Sequence, residues 1–274
     1  MLNVVKSLLY RLKKNKMFWI MLGVCAFLPV LTLLLNNLIL QFADIFVDVP
    51  LDMGLEMTTY MTLSELVSLS SNANFFTLLC VSIFLCKEFT DGTIRNALLS
   101  NKSRVSLYAG YGITALIIGG SYLVTYFVST LLALGIPFGF GDVSPNQAVT
   151  SCLCSLLLGV LSLLFVVSCV LMFLFATGKQ APSIVLPLLV TMFLPGMITS
   201  LVELVTTLIE LAKFGGGEIA IEIDYTWVPL YNAILYNSAE VEGALIGKIS
   251  LYYLLFTALF VFLGGLTAVK KDLK

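Results

Sequence analysis

Residues Met17 to Leu40 read MFWIMLGVCAFLPVLTLLLNNLIL, 24 positions without an Asp, Glu, Lys or Arg. About 20 apolar residues in a helix cross the ~30 Å hydrocarbon core of a bilayer, so this stretch predicts a membrane-spanning helix. Five cations precede it, Lys6, Arg11, Lys13, Lys14 and Lys16, which gives the start of the chain the outline of a signal peptide. The run is too long for a signal-peptide core and no small-x-small cleavage site follows, so the expectation is a retained first helix.

Comparable runs recur at about 72–86, 107–135, 148–176, 181–201 and 249–269. The second is the shortest and has room to begin earlier, near Leu66. Of 274 residues 59% are hydrophobic and 11% charged, against about 25% charged in a soluble domain. The expected fold is therefore an all-α integral membrane protein with six transmembrane helices, one domain over 1–274. The net charge of -1 gives no sign of a nucleic-acid partner.

Lys and Arg set the predicted direction. With the N-terminus inside, thirteen of the fifteen basic residues fall on the cytoplasmic side, and only Lys213 and Lys248 fall outside. The connecting loops are short enough for the positive-inside rule to apply. Both termini are thus expected in the cytoplasm, in a multi-pass protein of a cell membrane. No span has a clear ionisable residue in its core, which disfavours a proton relay, a cation site or a voltage sensor.

The chain has no histidine, so Ser-His-Asp and Cys-His catalysis and His-ligated zinc drop out. Cys25, Cys80, Cys86, Cys152, Cys154 and Cys169 lie within or at the ends of apolar segments, which fits neither a secreted disulfide framework nor a metal site. No catalytic residue, cofactor or metal site is expected in this chain.

Leu2, Val5, Leu9 and Leu12 recur at helical spacing among polar and basic neighbours. Residues 2 to 15 read as an amphipathic helix on the membrane surface, with a frayed basic tail as the alternative. Between the second and third runs lies KEFTDGTIRNALLSNKSR, Lys87 to Arg104. Asp91-Gly92 is a turn signal. Thr93 to Leu99 suit a short helix with Ile94, Ala97 and Leu98 on one side and Arg95 and Asn96 on another, and Ser100 or Asn101 suits the cap of the next span. The residues alone leave two readings open: a rigid knob that docks a partner, or a solvated connector whose cations only fix topology.

Glu88-Phe89-x-x-Gly92-Thr93-Ile94-Arg95-Asn96, followed by Leu-Leu-Ser and Ser103-Arg104, resembles the first cytoplasmic loop of ABC-2 type permeases, among them the small bacterial permeases of bacitracin-resistance, lantibiotic-immunity and peptide-toxin exporters. The resemblance implies that this loop is a coupling helix seated in a separate ATP-binding cassette subunit. Glu88 and Arg95 would brace it, and Gly92, Thr93, Ile94 and Asn96 would shape or contact the docking surface. It also implies a second permease chain, ATP and magnesium held by the partner ATPase, and a hydrophobic or amphipathic cargo such as a peptide toxin or antimicrobial. One departure is Ala109-Gly110, where family members often carry a Lys.

Ser200 to Lys248 is the longest expected soluble stretch. Glu203, Thr206, Thr207, Glu210 and Lys213 share one helical face, Gly215 to Gly217 end the pattern, and Trp227-Val228-Pro229-Leu230-Tyr231 follow. Aromatics of this kind occupy membrane interfaces. An interfacial helix or surface cap fits, and so do the re-entrant helices that the resemblance implies, with Glu203, Glu210, Trp227, Pro229 and Tyr231 bordering an exit. Gly243-Ala-Leu-Ile-Gly247-Lys248-Ile249-Ser250 hints at a phosphate-binding loop, but its spacing is one residue short and its Ser is misplaced. The two glycines instead suit close packing of the last helix. Pro182, Pro187 and Pro195 are expected to interrupt the fifth span. Ser121, Thr125 and Ser129 on the third span, and Ser151, Ser155 and Gly159 on the fourth, read as packing faces.

Other classes remain. A secondary transporter or channel would want intramembrane charge, and the substrate-capturing subunit of a vitamin importer would need neither the Glu88 to Asn96 motif nor the acidic outer stretch.

Overall fold

The structure is a computed structural model and describes residues 2–46, 61–94, 103–136, 145–212 and 243–270. Among these, regular structure is helical throughout. Helix α1 (Leu2–Lys13) is followed by α2 (Lys16–Phe46), α3 (Met61–Thr90) and α4 (Arg104–Thr130), the last extended by a π turn (Leu131–Gly135). Next come α5 (Pro145–Thr177), then α6 (Gln180–Leu188), a second π turn (Leu189–Phe193) and α7 (Leu194–Ala212) as one continuous rod, and α8 (Gly243–Lys270). Six of these segments are long and apolar enough to cross a membrane: 16–35, 71–90, 104–135, 148–177, 180–202 and 244–270. This is the architecture of a multi-pass membrane protein.

Helices α3, α4 and α5 form the centre, α5 packing against α3, α4, α6 and α8. Its membrane window is 61% buried, whereas those of α2, the fifth span and α8 are only 17–18% buried and turn apolar side chains outward. Small residues permit the close crossings. A Cβ on Gly119 would lie 2.7 Å from Thr77 Cγ2, and one on Gly159 would lie 3.1 Å from Leu123 and 3.2 Å from Leu69. Ser151 and Ser155, on the same stripe as Gly159, are buried with it. A Cβ on Gly247 would meet none of the described residues within 4 Å, whereas one on Gly264 would meet Tyr108 and the backbone of Met172, a close approach of α8.

Some buried polar groups find partners across helices, as donors in hydrocarbon favour. Asn72 donates to the Tyr126 hydroxyl at 2.8 Å and Asn74 to Ser162 at 2.7 Å. Pro29 sits inside α2 and cannot complete its helical ladder. Ser129 of α4 donates to the Ala26 carbonyl one turn before it, which ties the small-residue stripe of α4 to α2.

Several boundaries differ from the sequence reading. The second span does not end at Cys86, because α3 runs on to Thr90 and takes Lys87, Glu88 and Phe89 into the helix. At its other end the helix, though not the span of 71–90, reaches past Leu66 to Met61. The fifth span closes at Val202 and the last opens at Ala244, while α7 continues past the span to Ala212, the helix expected before Gly215, and α8 begins at Gly243. The fifth-span prolines are not equivalent. Pro182 lies in the first turn of α6, where no N–H is needed, so only Pro187 is interior to α6. Thr191 donates its hydroxyl to the Pro187 carbonyl at 2.8 Å within the π turn that follows. The cap of α4 is Ser103, whose Oγ accepts the Ser106 N–H at 3.4 Å; Ser100 and Asn101 lie outside the described residues.

Candidate functional site

The α1 end of the bundle gathers most of the basic residues among those described. Val5, Leu8 and Leu12 of α1 are buried, and the helix packs along α4. A tight turn follows, closed by the Asn15 N–H on the Leu12 carbonyl at 2.9 Å. The Asn15 side chain then caps α2 by accepting the Met17 N–H at 3.0 Å.

Burial of α1 brings Arg11 to the end of α3. Its Nη1 donates to both carboxylate oxygens of Glu88, at 2.7 and 2.8 Å, within the range of charge-assisted bonds. The Glu88 side chain is 11% exposed and that of Arg11 is 47% exposed. A carboxylate this enclosed has to be paired. Glu88 also receives the hydroxyl of Thr93, which reaches both its carboxylate and, at 3.1 Å, its backbone carbonyl.

The chain reverses between these two residues. The Asp91 N–H bonds the Lys87 carbonyl at 2.9 Å and the Gly92 N–H bonds Phe89 at 3.3 Å. Gly92 has φ 68°, the left-handed helix-terminating conformation that glycine adopts without strain. Asp91 and Gly92 are exposed, Thr93 is half-buried, and Ile94 is 6% exposed within the chain's own core. Ile94 therefore anchors the turn from within, and its side chain is not presented for docking. Arg95 and Asn96 lie outside the described residues, as do Trp227, Pro229 and Tyr231. Glu203 and Glu210 belong to α7.

The base of the turn is aromatic. Phe89 meets Phe175 edge-on at 5.3 Å between ring centroids and Tyr111 at 6.2 Å, and Tyr108 meets Phe175 at 5.2 Å. Phe89 is thus packed on α4 and α5 at once. Arg104, at the start of α4, donates to the Val269 carbonyl of α8 at 2.9 Å. The Asp91-Gly92 turn is thus tied to α1 through Glu88 and to α4 and α5 through Phe89. Sequence reasoning missed Arg11 as the partner of Glu88 and Phe89 as the packing anchor. Their partners stand far off in sequence, and only the Glu88-Phe89 adjacency marked the spot.

Beside the Arg11–Glu88 pair lies a cleft of about 550 Å³ lined by the last turn of α1, the start of α2 and the end of α3. A second, apolar groove of about 590 Å³ runs between α2 and α4 past Ala26, Val30 and Val128, without a charged group in its lining. Among the described residues no cluster of His, Cys, Asp and Glu could hold a metal ion. No family model matches the chain, and no curated protein matches it significantly.

Proposed function

We propose that this chain is the membrane-spanning permease subunit of an ATP-driven exporter of the ABC-2 type. It would reside in a bacterial cell membrane with both termini in the cytoplasm. A second permease chain would complete the pathway, and a cytoplasmic ATP-binding cassette subunit would hold ATP and magnesium. The observation that carries the reading is the braced turn at Asp91-Gly92. It is exposed at its tip, closed by Glu88 and Thr93, tied to the surface helix by Arg11, and rooted in the packed core through Phe89 and Ile94. A solvated connector has no need of such fastening, whereas a surface that receives mechanical work does. Exposed Asp91 and Gly92, with Arg95 and Asn96 beyond them, would meet the ATPase. Glu88, Thr93 and Ile94 would hold the turn rigid. The weakly polar, uncharged spans suit a hydrophobic or amphipathic cargo such as a peptide toxin or antimicrobial. Glu203, Glu210 and the Trp227 to Tyr231 stretch would border its exit.

The test uses Asp91→Arg, which reverses an exposed charge and removes no internal contact. Purification in mild detergent should yield the wild-type chain with an ATPase subunit whose turnover responds to cargo. The variant should melt at the wild-type temperature yet lose the ATPase or its coupling. Wild-type protein that purifies without any ATP-hydrolysing partner and supports no ATP-dependent transport in proteoliposomes would overturn the reading. Ile94→Asp is the poorer probe, because it buries a charge inside the chain itself.

A further inference from the structure

The cleft beside the Arg11–Glu88 pair has a charge imbalance that the proposed coupling role does not use. Arg11, Lys14, Lys16 and Lys87 line it, opposed among the described residues by Glu88 and Asp91 alone. Glu88 is already engaged by Arg11 and Thr93. That leaves Asp91 to face three exposed ammonium groups. Lys14 stands over the Tyr10 ring at 4.5 Å, a contact that does not neutralise it. Arg11 commits Nη1 to Glu88 and has further donors on a fixed fork. The N-terminus of α2 opens on the same cleft, with no acidic residue in its first turn and Lys16 as its first residue. Placing cations at the positive end of a 31-residue helix runs against the macrodipole and is relieved by an external anion.

The surroundings indicate what carries that anion. The cleft is not polar throughout, since buried Phe84 also lines it. One turn into α2, exposed Trp19 donates its indole N–H to the Lys13 carbonyl at 3.0 Å, the arrangement of an amphipathic ring at a membrane interface. Beyond it Ile20, Val24 and Phe27 of α2 are exposed. A charged headgroup site thus gives directly onto an apolar surface of hydrocarbon depth.

We propose that this cleft binds the phosphate of an anionic phospholipid from the leaflet on the α1 side, with Lys14, Lys16 and Lys87 as the contacting cations and the acyl chains lying along α2. The proposal rests on the membrane architecture alone and stands whether or not the chain serves an exporter. The bound lipid would pin the α1–α2 junction, and with it Arg11, at a fixed height in the bilayer.

The experiment is native mass spectrometry of the full chain released from vesicles of equal phosphatidylglycerol and phosphatidylcholine, matched in acyl chains. The wild-type protein should retain phosphatidylglycerol selectively. The triple variant Lys14→Gln/Lys16→Gln/Lys87→Gln should lose that selectivity on the order of tenfold or more, given what each lysine contributes at an anionic surface. The corresponding triple Lys→Arg variant should keep it. Lys179→Gln/Lys270→Gln, which removes two cations outside the cleft, should leave it unchanged. All three side chains in the cleft are exposed, so the melting temperatures should agree across the set. Equal retention of the two lipids, a triple Gln variant that binds as the wild type does, or equal loss in the Lys179/Lys270 control would overturn the proposal. Displacement of the lipid by inorganic phosphate alone would show a free-anion site and overturn the lipid assignment.

Discussion

Arg11 and Glu88 stand 77 positions apart and meet through one guanidinium nitrogen placed at hydrogen-bonding distance from both carboxylate oxygens. The pair fastens a helix that runs along the outside of the bundle to the end of a helix at its centre. Because Glu88 is the buried member, the two residues are not energetically symmetric.

That asymmetry predicts an order of stabilities. Arg11→Ala leaves an enclosed carboxylate short of its main donor and should cost about 1–3 kcal/mol. The double variant Arg11→Ala/Glu88→Ala removes the orphan along with the donor and should be more stable than Arg11→Ala alone. Thermal unfolding in one detergent, measured as a double-mutant cycle, checks this. Equal stability of the wild type and all three variants would mean that the pair contributes nothing.

Gly92 isolates backbone strain from sterics. Among the described residues a Cβ there meets no atom within 4 Å, but the residue has φ 68°. Gly92→Ala should therefore destabilise by about 1 kcal/mol through conformation alone, and Gly92→Asn by less. A Gly92→Ala protein as stable as the wild type would show that the turn adopts another conformation.

Gly119 and Gly120 are adjacent and predict opposite signs. A Cβ at Gly119 runs into Thr77, so Gly119→Ala should cost about 1–3 kcal/mol. Nothing stands near Gly120, so Gly120→Ala should gain up to about 1 kcal/mol from helix propensity. Paired melting curves decide the matter. No loss at Gly119 would contradict the crossing of α3 and α4 described above, and loss at Gly120 would contradict the open space beside it.

The proposed orientation is open to labelling. In a background with all six native cysteines replaced, a cysteine at Asn146 should react with a membrane-impermeant thiol reagent in intact cells. One at Lys179 should react only after permeabilisation. The reverse pattern would place the α1 end outside.

The six spans were legible because a bilayer demands long apolar runs and tolerates little else. Most of their ends were legible within a few residues, but the end of the second was not. Lys87 and Glu88 look like the start of a loop, yet the helix continues through them because Arg11 satisfies the carboxylate from another part of the chain. Asp91-Gly92 was readable as a turn, since only glycine enters the left-handed region freely. The docking role given to Ile94 followed from its place on a short helical face, and periodicity could not reveal that the Ile94 side chain itself is buried in the chain's own core. The meeting of Phe89, Tyr108, Tyr111 and Phe175 draws on three helices and leaves no local pattern. Pro182, Pro187 and Pro195 were visible as helix breakers, but their effect depends on how far each stands from a helix start.

The π turn at Leu189–Phe193 has a consequence for how the fifth span is mapped. An α-helix advances 100° per residue, and one widened turn delays that rotation by roughly one residue, about 100° in azimuth. Residues before Leu189 and after Phe193 therefore belong to two helical wheels out of phase with each other. A scanning series plotted on a single wheel would place Ser183 and Pro195 on unrelated sides, although both are buried. Counted as two segments, with the phase reset at Thr191, the buried positions fall on one continuous seam facing the bundle.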